Sequence, residues 1–122
     1  MQPTILTYNL GAKQFQMELL CANFHVIIRN VRTEEQSFTI NSLLETNTAK
    51  PQSKSNVAVF SNEMIVFCYF SDTLLEQFLQ QMRNLNIRIP LKAILTPTNR
   101  MWSSIELYKE LAKEHKALNT KR

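Results

Sequence analysis

Short apolar runs alternate along this chain with segments in which apolar residues recur at helical spacing. Four runs have the composition of strands, and they begin at Thr4, His25, Met64 and Pro90. After each run, apolar positions return every three or four residues, which is the period of an amphipathic helix. The alternation predicts an α/β domain, because consecutive strand–helix units pair their strands mainly in parallel.

The third run, residues 64–70, is apolar throughout. A strand that is covered by helices on both faces has this composition, so we expect it near the centre of the sheet. The pattern predicts a small three-layer domain with a four-stranded, mainly parallel sheet, strand order 2-1-3-4 and helices on both faces. In that order the strand at 25–28 forms one edge.

Capping residues mark the helix starts. Thr33 with Gln36 and Ser103 with Glu106 have the spacing of a capping box, which predicts helices from each pair, the first running to residue 44. Ser71 is expected to cap the helix after the third strand. On the first predicted helix, the apolar residues that share one face are Ala12, Phe15, Leu19 and Ala22.

The chain has 122 residues, enough for one core, and we expect one domain over 1–122. Residues 45–56 are polar and include Lys50-Pro51, which predicts an exposed flexible loop. The last four residues, 119–122, are expected to fray.

Glycine is almost absent, and Gly11 is the only one in the chain. Loops that cradle phosphates need several glycines to bring backbone N–H groups close to the anion. Walker, dinucleotide-binding and kinase-type loops are therefore excluded, and no cofactor is expected.

The net charge is +4, and much of the excess lies near the C-terminus. A nucleic-acid surface combines a basic stripe with aromatic side chains, whereas these basic residues are scattered and interleaved with acids. We therefore expect a solvated surface and no nucleic-acid binding. No stretch is apolar enough to span a membrane, no signal peptide is expected, and Cys21 and Cys68 lack metal or disulfide spacing. These features predict a cytoplasmic protein with buried free thiols.

The segment that follows the fourth strand, residues 96–102, is the most informative stretch for a ligand site. It contains a proline, three hydrogen-bonding side chains, an arginine and the only tryptophan, and it ends at a helix start, where free N–H groups favour an anion. Ligands of parallel sheets bind beyond the carboxyl ends of the strands at the point where the winding reverses, here between strands 1 and 3. We therefore expect a small polar or anionic ligand at that edge. The candidate lining residues are Asn9, Ser71, Thr96, Thr98, Asn99, Arg100 and Trp102.

A structural interpretation of the same segment is the alternative. In it, Thr98 and Asn99 form a turn, Trp102 covers the core and Arg100 is solvated.

An enzyme is not the favoured interpretation. Asp72 follows the central strand but is the only aspartate, and a metal-dependent phosphoryl switch needs further carboxylates. His25 and His115 fall on separate elements, away from Cys68 and Ser71, and are expected to be packing residues. No catalytic residue and no metal ligand is assigned.

The last third of the chain carries a more specific pattern, which includes 66–72, 89–99 and Glu106-Leu107-Tyr108. Over Met64–His115 it resembles an uncharacterised bacterial family, the domain of unknown function number 3783. This family has glycine where the chain has Tyr69. The resemblance implies a small bacterial cytoplasmic domain and implies no activity. The residues that match its signature are Lys92, Thr96, Pro97, Thr98, Asn99 and Trp102.

Three functional hypotheses follow. The leading one is a non-enzymatic small-ligand-binding or regulatory module with its site at the carboxyl edge of the sheet. The alternative is a protein-interaction domain that forms a homodimer, because a four-stranded sheet leaves edge strands to be covered and Phe24 and Phe38 lie near the predicted edge. An enzyme with an unrecognised site is the third.

Overall fold

The computed structural model describes residues 2–45 and 59–120, with the backbone alone for 116–120. The chain divides into two compact units. The sheet unit comprises Met1–Asn30 and Asn62–Ile94, and the helical unit comprises Val31–Ser61 and Leu95–Arg122.

The described elements follow the expected alternation of strands and helices. The strands are β1 (Thr4–Tyr8), β2 (Ile27–Asn30), β3 (Met64–Cys68) and β4 (Leu91–Ile94). The helices are α1 (Lys13–Asn23), α2 (Ile40–Glu45), α3 (Asp72–Asn84) and α4 (Ser104–Thr120), with 3₁₀ turns at Thr33–Glu35 and Asn99–Met101. In the described residues, no helix has both the length and the apolar character that crossing a bilayer requires.

The four strands form one sheet in the order β2-β1-β3-β4, which confirms the predicted fold class and strand order. β1 pairs in parallel with β2, and β3 pairs in parallel with β4. The central pair is antiparallel, with Thr4 opposite Cys68 and Tyr8 opposite Met64. The sheet is therefore mainly parallel, but its two strand–helix–strand halves run in opposite directions.

The two halves of the sheet unit repeat the same backbone features. The residue after each central strand, Asn9 after β1 and Tyr69 after β3, has a positive φ of about 60°. The residue two positions beyond α1 and α3 also has a positive φ, 57° at His25 and 58° at Asn86. At both helix ends, the N–H of the following residue bonds back to a carbonyl five residues earlier, as in a Schellman motif. The turn that ends α1 occupies 24–26, which is why β2 begins at Ile27 rather than at the predicted residue 25.

The core of the sheet unit lies where α1 and α3 cover one face of the sheet. It contains Ile5, Ile65 and Phe67 from the strands together with buried side chains of both helices. On α1 the buried residues are Met17, Leu20 and Cys21, whereas Phe15 and Leu19 are 66% and 53% exposed. The apolar face that the sequence shows on this helix therefore points to solvent and not to the sheet. Both sets of residues have helical spacing, and the short connection from β1 decides which set faces the sheet.

In the helical unit, the single helix that was predicted over 33–44 does not form; a 3₁₀ turn and a separate helix, α2, stand in its place. Backbone groups of residues 36–40 bond to residues 102–105 instead of continuing a helix, with Ile40 N–H donating to the Trp102 carbonyl (2.9 Å) and Ile105 N–H to the Gln36 carbonyl (3.2 Å). A new helix, α2, starts only after Thr39, whose hydroxyl accepts from the Ser42 N–H. The predicted Thr33–Gln36 capping box is also wrong, because Glu35 accepts the Arg32 N–H and Gln36 is used elsewhere.

Gln36 is fully buried and holds the segment around Phe60. Its amide oxygen accepts from the Phe60 N–H (3.1 Å), and its amide nitrogen donates to the Phe60 carbonyl (3.2 Å). The Phe60 ring then stacks on Tyr108 of α4 at a centroid distance of 4.4 Å. The buried Gln36 amide therefore bonds to both backbone groups of Phe60, as the backbone of a neighbouring strand would.

Two predicted features fall at the limits of the described residues. The predicted flexible loop at 45–56 lies outside them beyond Glu45. In the predicted frayed tail, residues 119–120 are the last of α4, and 121–122 lie outside the description. The single domain, the three layers and the flexibility of the loop stay predictions.

Replacing Phe67 by Ala is expected to lower the free energy of unfolding by about 3–5 kcal/mol, because it empties a site in the core of a central strand. Phe67 is 2% exposed and contacts the rings of Phe70 and Phe78 at 5.3 and 6.0 Å. Urea denaturation would measure the change, with the exposed Leu85→Ala as the control. A loss below about 1 kcal/mol, the size typical of a surface change, would contradict the central position of β3.

Candidate functional site

The connection between β4 and α4 is a closed turn built from its own polar side chains. The Thr96 N–H donates to Asn99 Oδ1 (2.8 Å), and the Asn99 N–H donates to the Thr96 hydroxyl (3.0 Å). Asn99 is buried, while Thr98 is exposed. Two of the predicted ligand-binding side chains thus hold the turn together, with Thr96 as the partner of Asn99 where the structural interpretation had Thr98.

Arg100 is tied to α2 of the same unit. Its Nε and Nη2 both donate to Oδ1 of Asn41, at 3.0 and 2.7 Å, and the Asn41 amide donates to Glu45 (3.2 Å). The guanidinium is half-buried rather than solvated. A ligand that claimed Arg100 would therefore have to replace two hydrogen bonds that already exist.

Trp102 and the residues after it begin α4. The Trp102 side chain is half-buried, and its carbonyl accepts from Ile40. The predicted capping box is confirmed: the Ser103 N–H donates to Glu106, and the Glu106 N–H donates to the Ser103 hydroxyl, both at 3.1 Å. The Ser103 hydroxyl at this helix start therefore accepts a hydrogen bond from the helix itself.

The remaining two predicted residues, Asn9 and Ser71, belong to the sheet unit and lie at opposite ends of its sheet. Asn9 follows β1 and donates to the Asn62 carbonyl (3.0 Å), just before the start of β3. Ser71 follows the other end of β3 and caps α3, accepting from the Leu74 N–H (3.1 Å). The expectation that the carboxyl ends of strands 1 and 3 share an edge was wrong, because these strands are antiparallel.

A groove in the sheet unit carries the clearest charge pattern among the described residues. It has a volume of about 490 Å³ and lies at the C-terminal end of α3 and the start of β4. Three cationic side chains, Arg83, Arg88 and Lys92, line it, and no carboxylate does. The other lining residues are Asn86, Ile87, Ile89 and Pro90.

Neutral acceptors position the three cations of this groove. Arg83 donates to Gln80 (2.8 Å), Arg88 to Asn86 (3.1 Å) and Lys92 to the Ile89 carbonyl (2.9 Å). Within the described ranges, none of the three forms an ion pair. The groove is therefore a concentrated positive charge that has no internal counter-charge and can attract an anion.

Lys13 fixes the rim of the same groove from α1. Its ammonium donates to Glu63 (2.7 Å) and to the Arg88 carbonyl (2.6 Å). This links the start of α1 to the segment that enters β4. The salt bridge removes Lys13 from the free positive charge and makes it a positioning residue for Arg88.

The sequence contains a signal for this groove that the composition of the whole chain conceals. Between Glu76 and Glu106 there is no Asp or Glu, while Arg83, Arg88 and Lys92 fall within ten residues of one another. Averaged over 122 residues, the basic and acidic side chains look interleaved. A local charge window, rather than the net charge, would have found the segment.

The nucleophilic and acid–base side chains considered from the sequence lie on separate elements of the described chain. Cys21 and Cys68 are free and buried, and burial, with a smaller contribution from Glu18, raises the pKa of the Cys21 thiol to about 12. The hydroxyl of Ser71 caps a helix. His25 is exposed at the end of α1, and His115 is exposed on α4, so the expectation that both are packing residues was wrong. In the described part of the chain, no three His, Cys, Asp or Glu side chains are grouped as a metal site.

Replacing Arg100 by Ala is expected to lower the free energy of unfolding by about 1–2 kcal/mol, because it removes two hydrogen bonds from a charged donor at a half-buried site. Asn41→Ala should cost a similar amount, and the double variant should cost little more than either alone, which a thermal or urea unfolding cycle would measure. Lys109→Ala, at an exposed position of α4, is the control. If the losses from Arg100→Ala and Asn41→Ala were simply additive, the two side chains would not be coupled in solution.

Comparison with known proteins finds a family match in the second half of the chain, and this match carries no activity. No curated protein and no solved structure matches the chain significantly. Tyr69, where the resemblance implies glycine, has a φ of 63°, a conformation that glycine adopts without strain. Residues 63–118 match the model of a family described as a domain of unknown function, DUF3783, which confirms the resemblance over that segment.

Proposed function

We propose that this protein is a non-enzymatic binding module for a small anionic ligand, and that the site is the groove of Arg83, Arg88 and Lys92. The observation that carries the proposal is the charge pattern of this groove: three positioned cations and no lining carboxylate. An arginine can bind a phosphate or carboxylate through two parallel hydrogen bonds, while a lysine adds a point charge.

The groove replaces the β4–α4 connection as the favoured ligand site. At that connection, Thr96, Asn99 and Arg100 are engaged in hydrogen bonds within their own unit. At the groove, by contrast, every cation is bonded to a neutral acceptor, so its positive charge stays uncompensated. Lys92 also lies within the segment that matches the family model.

The buried thiols support a reducing location. Cys21 and Cys68 are both free and buried. We therefore extend the proposal to a cytoplasmic module, since free thiols persist in that compartment.

Self-association is the second candidate function, and one observation favours it. The outward face of α1 contains Ala12, Phe15, Leu19 and Ala22, all exposed and all uncharged. An apolar patch complements a second copy of itself, and the exposed Glu18 lies at the border of this one, so the occupant we propose is the α1 face of another protomer. Phe24 and Phe38, which the sequence suggested for this role, are instead half-buried against Phe78 and buried, respectively.

Pyrophosphate is expected to stabilise the protein against heat, because it binds the folded groove and not the unfolded chain. At tenfold excess over its Kd the gain is about 1.4 kcal/mol, or a rise in Tm of about 4 °C. The double variant Arg83→Gln, Lys92→Gln should lose this shift in differential scanning fluorimetry. The matched control is Lys109→Gln, Lys113→Gln, which removes the same charge from exposed positions of α4. Equal shifts in both variants would show non-specific ion binding and reject the groove.

Light scattering would test self-association. A dimer that becomes a monomer in Phe15→Glu but persists in the control Leu85→Glu would support the α1 face, since Leu85 is similarly exposed but lies at the end of α3. A monomer of the unmodified protein at high concentration would reject this candidate.

A further inference from the structure

A second depression continues the cationic groove along α3. It has a volume of about 330 Å³ and is lined by Asp72, Leu75, Glu76, Leu79 and Arg83. Arg83 lines both depressions, so the two are contiguous at this side chain. Arg83 lies eight residues from Leu75, about 12 Å along the helix axis, and the apolar part between Leu75 and Leu79 takes about 6 Å of that length.

Leu75 and Leu79 lie on the side of α3 that is turned toward β4. The opposite side of the helix, with Gln77 and Gln81, forms a different depression that includes Phe24 at the end of α1. α1 and α3 cover the same face of a sheet whose order is β2-β1-β3-β4, so the side of α3 away from α1 is the β4 side.

β4 contributes a matching apolar side chain. Ile94 pairs with Phe67 and therefore points to the face that α3 covers, yet it is 54% exposed. Lys92 lies two residues earlier on the same face, opposite Ile65. Along β4, the cationic Lys92 therefore lies near the start of the strand and the apolar Ile94 at its end. On the adjacent side of α3, the cationic Arg83 and the apolar Leu79 are arranged in the same direction.

The acidic residues give this trough a direction. Asp72 lines the depression at its far end from Lys92 and Arg88, and Glu76 lines it between Leu75 and Leu79. An anionic group there would be repelled, whereas at the Arg83 end it meets three cations. A ligand must therefore place its charge at the Arg83 end and an uncharged apolar body along Leu79 and Leu75.

We infer that the ligand of this groove is a soluble anionic amphiphile, a phosphate-like head group that carries an alkyl body. The inference rests on the proposed anion-binding function and adds the chemical class of the ligand. The head group contacts Arg83, Arg88 and Lys92, and the alkyl body lies between Leu75, Leu79 and Ile94. A few convergent polar groups beside apolar walls are typical of small-molecule sites.

Titration calorimetry with inorganic phosphate and with butyl, hexyl and octyl phosphate tests the inference. Full burial of one CH₂ contributes about 0.8 kcal/mol, a fourfold gain in affinity, and a half-open trough should give about twofold per CH₂. Leu79→Ser should flatten this dependence on chain length. Leu85→Ser, an exposed leucine in neither depression, should retain the full dependence. Ile94→Thr tests the same wall from the strand and keeps the experiment decisive if Leu79→Ser does not fold.

The outcomes separate the two proposals. If phosphate binds but the alkyl chain adds no affinity, the amphiphile is rejected and the anion site stands. If neither phosphate nor any alkyl phosphate binds, both are rejected. Vesicles of phosphatidylcholine with phosphatidic acid distinguish a lipid surface as the source of the same chemistry. Sedimentation with these vesicles, without binding of octyl phosphate, would overturn the soluble ligand.

Discussion

The antiparallel pairing of β1 with β3 determines which residues of the sheet unit can meet. In the register that places Leu6 opposite Val66, the end of β1 lies beside the start of β3, and the end of β3 lies beside the start of β1. The start of α1, the residues before β3 and the entry to β4 therefore converge at one edge. This convergence lets Lys13 bond to both Glu63 and the Arg88 carbonyl. With a parallel central pair, as in a doubly wound sheet, those contacts could not form.

The same pairing accounts for the internal repeat. Each half is a strand, a helix and a parallel strand, and the antiparallel centre places both helices on one face of the sheet. Both halves need a left-handed residue after the central strand and another after the helix. Because the chain has a single glycine, these positions are filled by Asn9, Tyr69, His25 and Asn86. Asparagine tolerates this conformation, whereas tyrosine adopts it at a cost.

Internal hydrogen bonding decides which polar side chains remain available for a ligand. In the helical unit, Gln36, Asn41, Thr96 and Asn99 are committed to backbone or side-chain partners within that unit. A side chain that is already satisfied gains little by turning to a ligand, since the exchange replaces one hydrogen bond with another. Cations held by neutral acceptors differ, because an amide or carbonyl orients a guanidinium or ammonium without cancelling its charge. This distinction favours Arg83, Arg88 and Lys92 over Arg100 as binding groups.

Local chemistry, which depends on a few neighbouring residues, was determined by the sequence alone. The strand character of 64–68, the Ser71 cap and the Ser103–Glu106 capping box all follow from short patterns, and the predicted strand order was confirmed although the parallel central pair that it assumed was wrong. Only the tertiary structure decided which face of α1 is buried, why the helix expected from Thr33 stops, and in which direction β3 runs beside β1. Each of these depends on partners distant in the chain: the sheet beneath Met17, the backbone at 102–105 that bonds to 36–40, and the register of β1 against β3. A periodic pattern describes a helix or strand equally well in either orientation, so the direction of the central pair, and with it the position of the binding groove, could come only from the packed fold.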